Sequence, residues 1–75
     1  METINVTFIY RELEELRALP VSLVPLVGDR VVWADSQRVR SIPGGTYVVT
    51  VRRFNVNVFA SYGNDLTIHM EAVYD

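Results

Sequence analysis

Apolar and polar residues alternate one by one at both ends of this chain, and a period of two restricts those segments to half-buried strands. Over residues 3–10, Ile4, Val6, Phe8 and Tyr10 face one way, and Thr3, Asn5, Thr7 and Ile9 the other. Toward the other end, Leu66, Ile68, Met70, Ala72 and Tyr74 share a face, while Thr67, His69, Glu71 and Val73 take the opposite one. Thirty of the 75 residues are β-branched or aromatic, the types that fit a pleated surface. An all-β chain follows.

Between these ends the phase changes. Tyr47, Val49 and Val51 are evenly spaced, and so are Phe54, Val56 and Val58, but in the opposite phase. One extra residue flips a strand's register, so a bulge or sharp bend at Arg52-Arg53 is predicted. Matching apolar faces then pairs Phe54 with Met70, Val56 with Ile68 and Val58 with Leu66. The connection becomes Ser61-Tyr62-Gly63, a three-residue loop with glycine in third place. The same register sets Arg53 opposite Glu71, Asn55 opposite His69 and Asn57 opposite Thr67, as an outer polar strip.

Leu13, Leu16 and Leu19 recur every third residue before Pro20, which predicts two helical turns over residues 11–19. The rival reading is a hairpin in which residues 15–21 return beside the first strand. Pro20 and Pro25 make Val21 to Val27 an edge segment or a loop over the core. Gly28-Asp29 turns the chain into a short strand, Arg30 to Ala34, and Asp35-Ser36-Gln37 forms a polar turn. Residues 38–42 read as another short strand with Arg38 and Arg40 on one side. Pro43-Gly44-Gly45 is the strongest break. The expected architecture is one domain over residues 1–75: a small, strongly bent antiparallel barrel with a long C-terminal hairpin and, at most, one short helix.

The missing residue types exclude much chemistry. Without cysteine there is no disulfide, thiolate metal site or cysteine nucleophile, and a single histidine excludes ordinary zinc ligand sets. No metal and no cofactor are expected. No apolar run approaches the ~18 residues of a membrane span. The first residues are acidic and lack the basic and apolar regions of a signal peptide, so a cytoplasmic location is expected. A domain of this size has a thin stability margin, and its available staples are tight packing or a partner chain.

Pro25-Leu26-Val27-Gly28-Asp29-Arg30-Val31 resembles the turn-into-strand of small barrels of the Src-homology kind, in which Gly-Asp-x-Val leads into a short strand, a turn and a long bent hairpin. Gly45-Thr46-Tyr47-Val48-Val49 is similar to the glycine, Tyr-x-Val entry to that hairpin. The chain also looks like small barrel proteins of phages and mobile elements, whose setting would be the host cytoplasm. The resemblance covers roughly residues 25–74, implies a fold, and carries over no catalytic residue.

Net charge is −2, but unevenly placed. Residues 29–53 carry five of the seven arginines, and both flanking segments are acidic. Arg38, Arg40, Arg52 and Arg53 are the leading candidates for holding an anion, because a guanidinium is a planar fork suited to phosphate or carboxylate. Trp33, Tyr47 and Tyr62 could add stacking surfaces, and Asn55 and His69 complete the candidate set. The competing reading is a solvated outer face with Trp33 in the core. Glu12, Glu14 and Glu15 read as an exposed polar face. No serine can be assigned beside His69, so a hydrolase triad has no support.

The expected function is therefore non-enzymatic: a small binding module or inhibitor whose partner is a protein, with an anti-defence role of phage type as one form and a nucleotide as a second ligand. The alternative is a nucleic-acid-binding barrel that uses residues 30–53. A homodimer is expected if the outer row of Thr3, Asn5, Thr7 and Ile9 lies at a sheet edge.

Overall fold

Residues 2–35, 40–55 and 65–74 are described by a computed structural model. Five strands form one sheet: β1 (Thr3–Tyr10), β2 (Leu13–Pro20), β3 (Arg30–Trp33), β4 (Gly45–Asn55) and β5 (Asp65–Ala72). Their order is β2-β1-β5-β4-β3, and the sheet curls strongly into a half-barrel. The described residues include no α-helix, only a single 3₁₀ turn at Val21–Leu23. Three pairings between chain neighbours, β1 with β2, β3 with β4 and β4 with β5, are antiparallel, and the seam of β1 against β5 is parallel. The two alternating ends of the chain thus lie side by side in the middle of the sheet.

The alternation decides the inner face. Val6 and Phe8 of β1, Tyr47 and Val49 of β4, and Leu66, Ile68 and Met70 of β5 are buried there. Two buried residues come from loops: Val24 after the 3₁₀ turn and Ile42 before β4. They cover the side that the sheet leaves open. The first loop is stitched to β4, with Gly28 N–H donating to the Val49 carbonyl at 2.9 Å and Val49 N–H to the Asp29 carbonyl at 3.0 Å. Asp29 also accepts from Leu26 N–H at 2.8 Å, closing a turn in which Gly28 sits at φ 93°, where a side chain would be strained. In the second loop Gly44 lies so close to Asp35 that a Cβ would meet its backbone at 2.9 Å.

Residues 11–19 are not helical. Leu13–Pro20 form β2, joined to β1 through the two-residue turn Arg11-Glu12, with Tyr10 opposite Leu13 and Ile4 opposite Leu19. Leu13 and Leu19 fall on the inner face, but Leu16 has the opposite parity and is 61% exposed. The three-residue spacing was a coincidence of two core leucines and one surface leucine. Arg11 takes φ 56° in the turn, a place usually given to glycine or asparagine. That arginine is why the hairpin carries no turn signature.

The long hairpin also differs from expectation. Its bulge lies between Val49 and Val51, not at Arg52-Arg53. Beyond the bulge Phe54 pairs with Leu66 rather than Met70, Arg53 with Thr67 rather than Glu71, and Val51, not Asn55, with His69. Every slip by an even number of residues keeps the apolar faces matched, so side-chain pattern chose the right face and the wrong register. The expected pairs of Val56, Asn57 and Val58 and the loop Ser61-Tyr62-Gly63 lie outside the described residues. Arg40 adopts φ 65° in a turn, and Ser41 and Ile42 are irregular, so the expected strand over 38–42 is not formed in its described part. β1 is an interior strand, and its outer row is therefore no sheet edge.

Glu15 departs furthest from its expected place on an exposed face. It projects inward from β2 and accepts a hydrogen bond from Ile42 N–H at 2.9 Å through Oε1, while Oε2 pairs with Arg17. The Glu15 side chain is 11% exposed and that of Arg17 47%. One carboxylate thus fastens the loop that delivers Ile42 to the core. Replacing Glu15→Ala leaves the Ile42 amide without its acceptor and should cost about 1–3 kcal/mol. For a domain of this length that is a fall in Tm on the order of 10 °C. Glu15→Gln keeps an acceptor and should lose less. Thermal unfolding followed by circular dichroism checks both, and equal Tm values for Glu15→Ala and the parent would refute the tie.

Candidate functional site

The half-barrel has two outer strands, β2 and β3, and an open groove runs between them. Phe8 of β1 and Trp33 of β3 meet edge to face across the inner surface, with ring centroids 5.1 Å apart. This pair forms the floor of a groove of about 460 Å³. Leu19 and Arg17 line it from β2, Leu23 and Pro25 from the covering loop, and Arg30, Val31 and Val32 from β3. The Arg17 guanidinium lies over the Trp33 ring, 5.4 Å from its centroid, an arrangement in which the π face attracts the cation. Arg17 is therefore held by Glu15 on one side and Trp33 on the other, at the groove wall.

Leu23 is 68% exposed and Val32 80%, and Val21, Leu26 and Val27 are exposed nearby in the chain. Apolar surface of this kind beside a groove is the usual mark of a contact surface. Arg30, exposed at the start of β3, has no ion-pair partner among the described residues. The groove is thus apolar in its walls and positively charged at its rim.

The candidate residues are dispersed. Trp33 lines the groove. Tyr47 is 3% exposed and belongs to the core, its hydroxyl donating to the Pro43 carbonyl and its ring edge to face with Tyr10. Its ring offers no free stacking face. Arg52 and Arg53 are consecutive in β4 and leave on opposite faces of the sheet, Arg52 opposite Ile68 and Arg53 opposite Thr67. Arg40 is exposed in its turn. Asn55 Nδ2 donates to Thr67 Oγ1 at 3.0 Å on the outer face. His69 shares an outer-face cleft with Arg53, and Arg38 and Tyr62 lie outside the described residues. The basic segment is therefore contiguous in sequence and scattered in space.

Sequence reasoning passed over Arg17, Arg30, Leu23 and Val32. Arg17 was hidden by the helical reading of its segment. The others had a signal, an apolar run with prolines at Pro20 and Pro25 that reaches Arg30 through the Gly28-Asp29 turn. Among the described residues no group of His, Asp or Glu could hold a metal ion, and no helix is long and apolar enough to cross a membrane. No family model, curated protein or solved structure matches the chain.

Burial pushes the Tyr47 phenol above its ordinary value of 10.0, with smaller contributions from the neighbouring Tyr10, Tyr74 and Asp35. The fold thus favours the neutral phenol. Its contribution is complete below the unfolded value and is lost as pH rises through the raised folded value. Stability should decline above about pH 10, and Tyr47→Phe should flatten that part of the alkaline limb. Denaturant unfolding at several alkaline pH values measures this. Parallel limbs for the two proteins would show that Tyr47 is not responsible.

Proposed function

We propose that this chain is a non-enzymatic binding module that takes an extended segment of a protein partner in the groove between β2 and β3. The observation that carries this reading is the combination of apolar walls with an Arg30 at the rim that has no ion-pair partner among the described residues. That combination matches a segment bearing apolar side chains and a carboxylate. The groove's volume lies within the ~300–1,000 Å³ usual for binding clefts. A module of this kind acts as an adaptor or an inhibitor by masking the segment it holds.

Strand addition by a second copy fits less well. β2 carries the inward charges Glu15 and Arg17 and ends at Pro20, and β3 has only four residues and begins with Arg30. Short edges, inward charges and proline are the devices that prevent edge pairing. The partner is therefore recognised chiefly by its side chains. The nucleic-acid reading is weakened by the placement of Arg30, Arg52 and Arg53, which makes no continuous track for a phosphate backbone.

Selection of random displayed peptides on the immobilised chain tests the proposal. Enriched sequences should combine apolar residues with Asp or Glu. Val32→Asp should weaken their binding by about tenfold or more, consistent with loss of a contact worth ~1.4 kcal/mol. Arg30→Glu should turn the preference toward Lys and Arg. Peptides that bind the Val32→Asp chain as well as the parent would place the contact elsewhere. Steeply salt-dependent retention on a polyanion column, abolished by Arg52→Ala, would favour nucleic acid instead.

A further inference from the structure

On the outer face, opposite the core, the sheet carries a second concavity of about 450 Å³. Arg11, Arg53, His69 and Glu71 line it together with Thr50 and Val51. His69 lies between Ile9 of β1 and Val51 of β4, at the centre of this cleft. Arg53 stands two residues further along β4, and Arg11 two residues beyond Ile9 at the end of β1. Because β1 runs parallel to β5 and β4 antiparallel, Arg11 lies toward Glu71 and Arg53 beside Thr67, so the two flank His69 from opposite ends of the cleft, about 10 Å apart across the strands and about 13 Å along them.

Two backbone irregularities place these groups at the cleft. The bulge between Val49 and Val51 inverts the phase of β4, and this inversion turns Arg53 to the His69 side and Arg52 to the core side. Bulges of this type re-aim side chains at barrel rims and binding sites. Arg11 holds φ 56° at a turn position that glycine would fill with less strain. Unfavourable backbone retained beside a cleft points to a use for the side chain it presents. Neither Arg11 nor Arg53 is in an ion pair among the described residues, and Glu71 reaches neither of them within ion-pair distance. The cleft therefore carries an uncompensated positive charge, with the Arg11 guanidinium resting 5.3 Å over the Tyr10 ring.

We propose that this outer cleft is a binding site for a phosphate group, with Arg11 and Arg53 as the charged donors and His69 at its floor. Guanidinium groups present paired N–H donors to phosphate oxygens, while the Thr50 hydroxyl donates to the His69 carbonyl at 3.2 Å and ties the bulge to β5. Glu71 opposes an anion and sets the affinity low. The proposal is independent of the groove between β2 and β3, which lies on the other face and uses none of these residues.

The test is a titration of the intact chain with inorganic phosphate and, separately, with adenosine monophosphate, followed by amide and imidazole NMR shifts. Saturable shifts at Thr50, Val51 and His69 are expected. Arg53→Gln should weaken binding about tenfold. Arg11→Gly should weaken it similarly while leaving Tm equal or higher, because it removes the guanidinium and relieves the turn in one step. Glu71→Gln should tighten binding. Val32→Asp should leave it unchanged. Tighter binding of the monophosphate identifies a nucleotide ligand, and equal binding identifies the phosphate group alone. Non-saturable shifts, or affinities indifferent to both arginine substitutions in folded variants, would overturn the site.

Discussion

A curled sheet of five strands does not enclose a core by itself. β2 and β3 remain separate at the open side, and two loops must supply what the missing strands would. Val24 and Ile42 do so, and Ile42 is fully buried although no strand carries it. Irregular backbone placed over a core needs partners for its polar groups. Asp29 and the Val49 backbone satisfy one loop, and Glu15 with Tyr47 the other. Covering the open side is thus the constraint on which the rest depends. It brings a carboxylate inward on an edge strand, places Arg17 against Trp33, and leaves the groove where the cover ends.

The bulge in β4 is the second organising device. Before it, Tyr47 and Val49 face the core. After it, Phe54 does so, and the intervening Thr50 is the extra residue. Without the inversion Arg53 would point inward and the outer row would carry Arg52. One inserted residue therefore completes the inner face and assigns each of two adjacent arginines to a different side. Phe54 is still half exposed.

How legible this was in the sequence depends on which physical quantity each residue reported. Alternation reports the face, and the faces of β1, β4 and β5 could be read from Val6, Phe8, Val49, Leu66 and Ile68. It does not report register, since shifting by two or four residues leaves every apolar contact type unchanged. Phe54 met Leu66 instead of Met70 for that reason. Turns are legible when glycine or asparagine marks them, as at Gly28, and illegible when arginine occupies the left-handed position, as at Arg11. Glu15 was unreadable because its role depends on a loop twenty-seven residues away in the chain. The candidate site fared similarly: Trp33 could be found from its type, but the arginines could not be grouped without parity and the bulge.

The placement of charge then separates the two concavities. Inside the half-barrel, Arg17 is already committed to Glu15 and to the Trp33 ring, so its positive charge is partly spent on the fold. At the groove's rim Arg30 offers a charge with no ion-pair partner among the described residues, and the walls are apolar. That balance suits a polypeptide segment, where apolar burial supplies most of the affinity and one carboxylate sets direction. Outside, Arg11, Arg53, His69 and Glu71 share the cleft with Ile9, Val51 and Met70, and neither guanidinium is in an ion pair among the described residues. The proposed peptide and phosphate sites thus fall on different faces of one sheet, and the bulge at Thr50 is what puts Arg53 on the outer one.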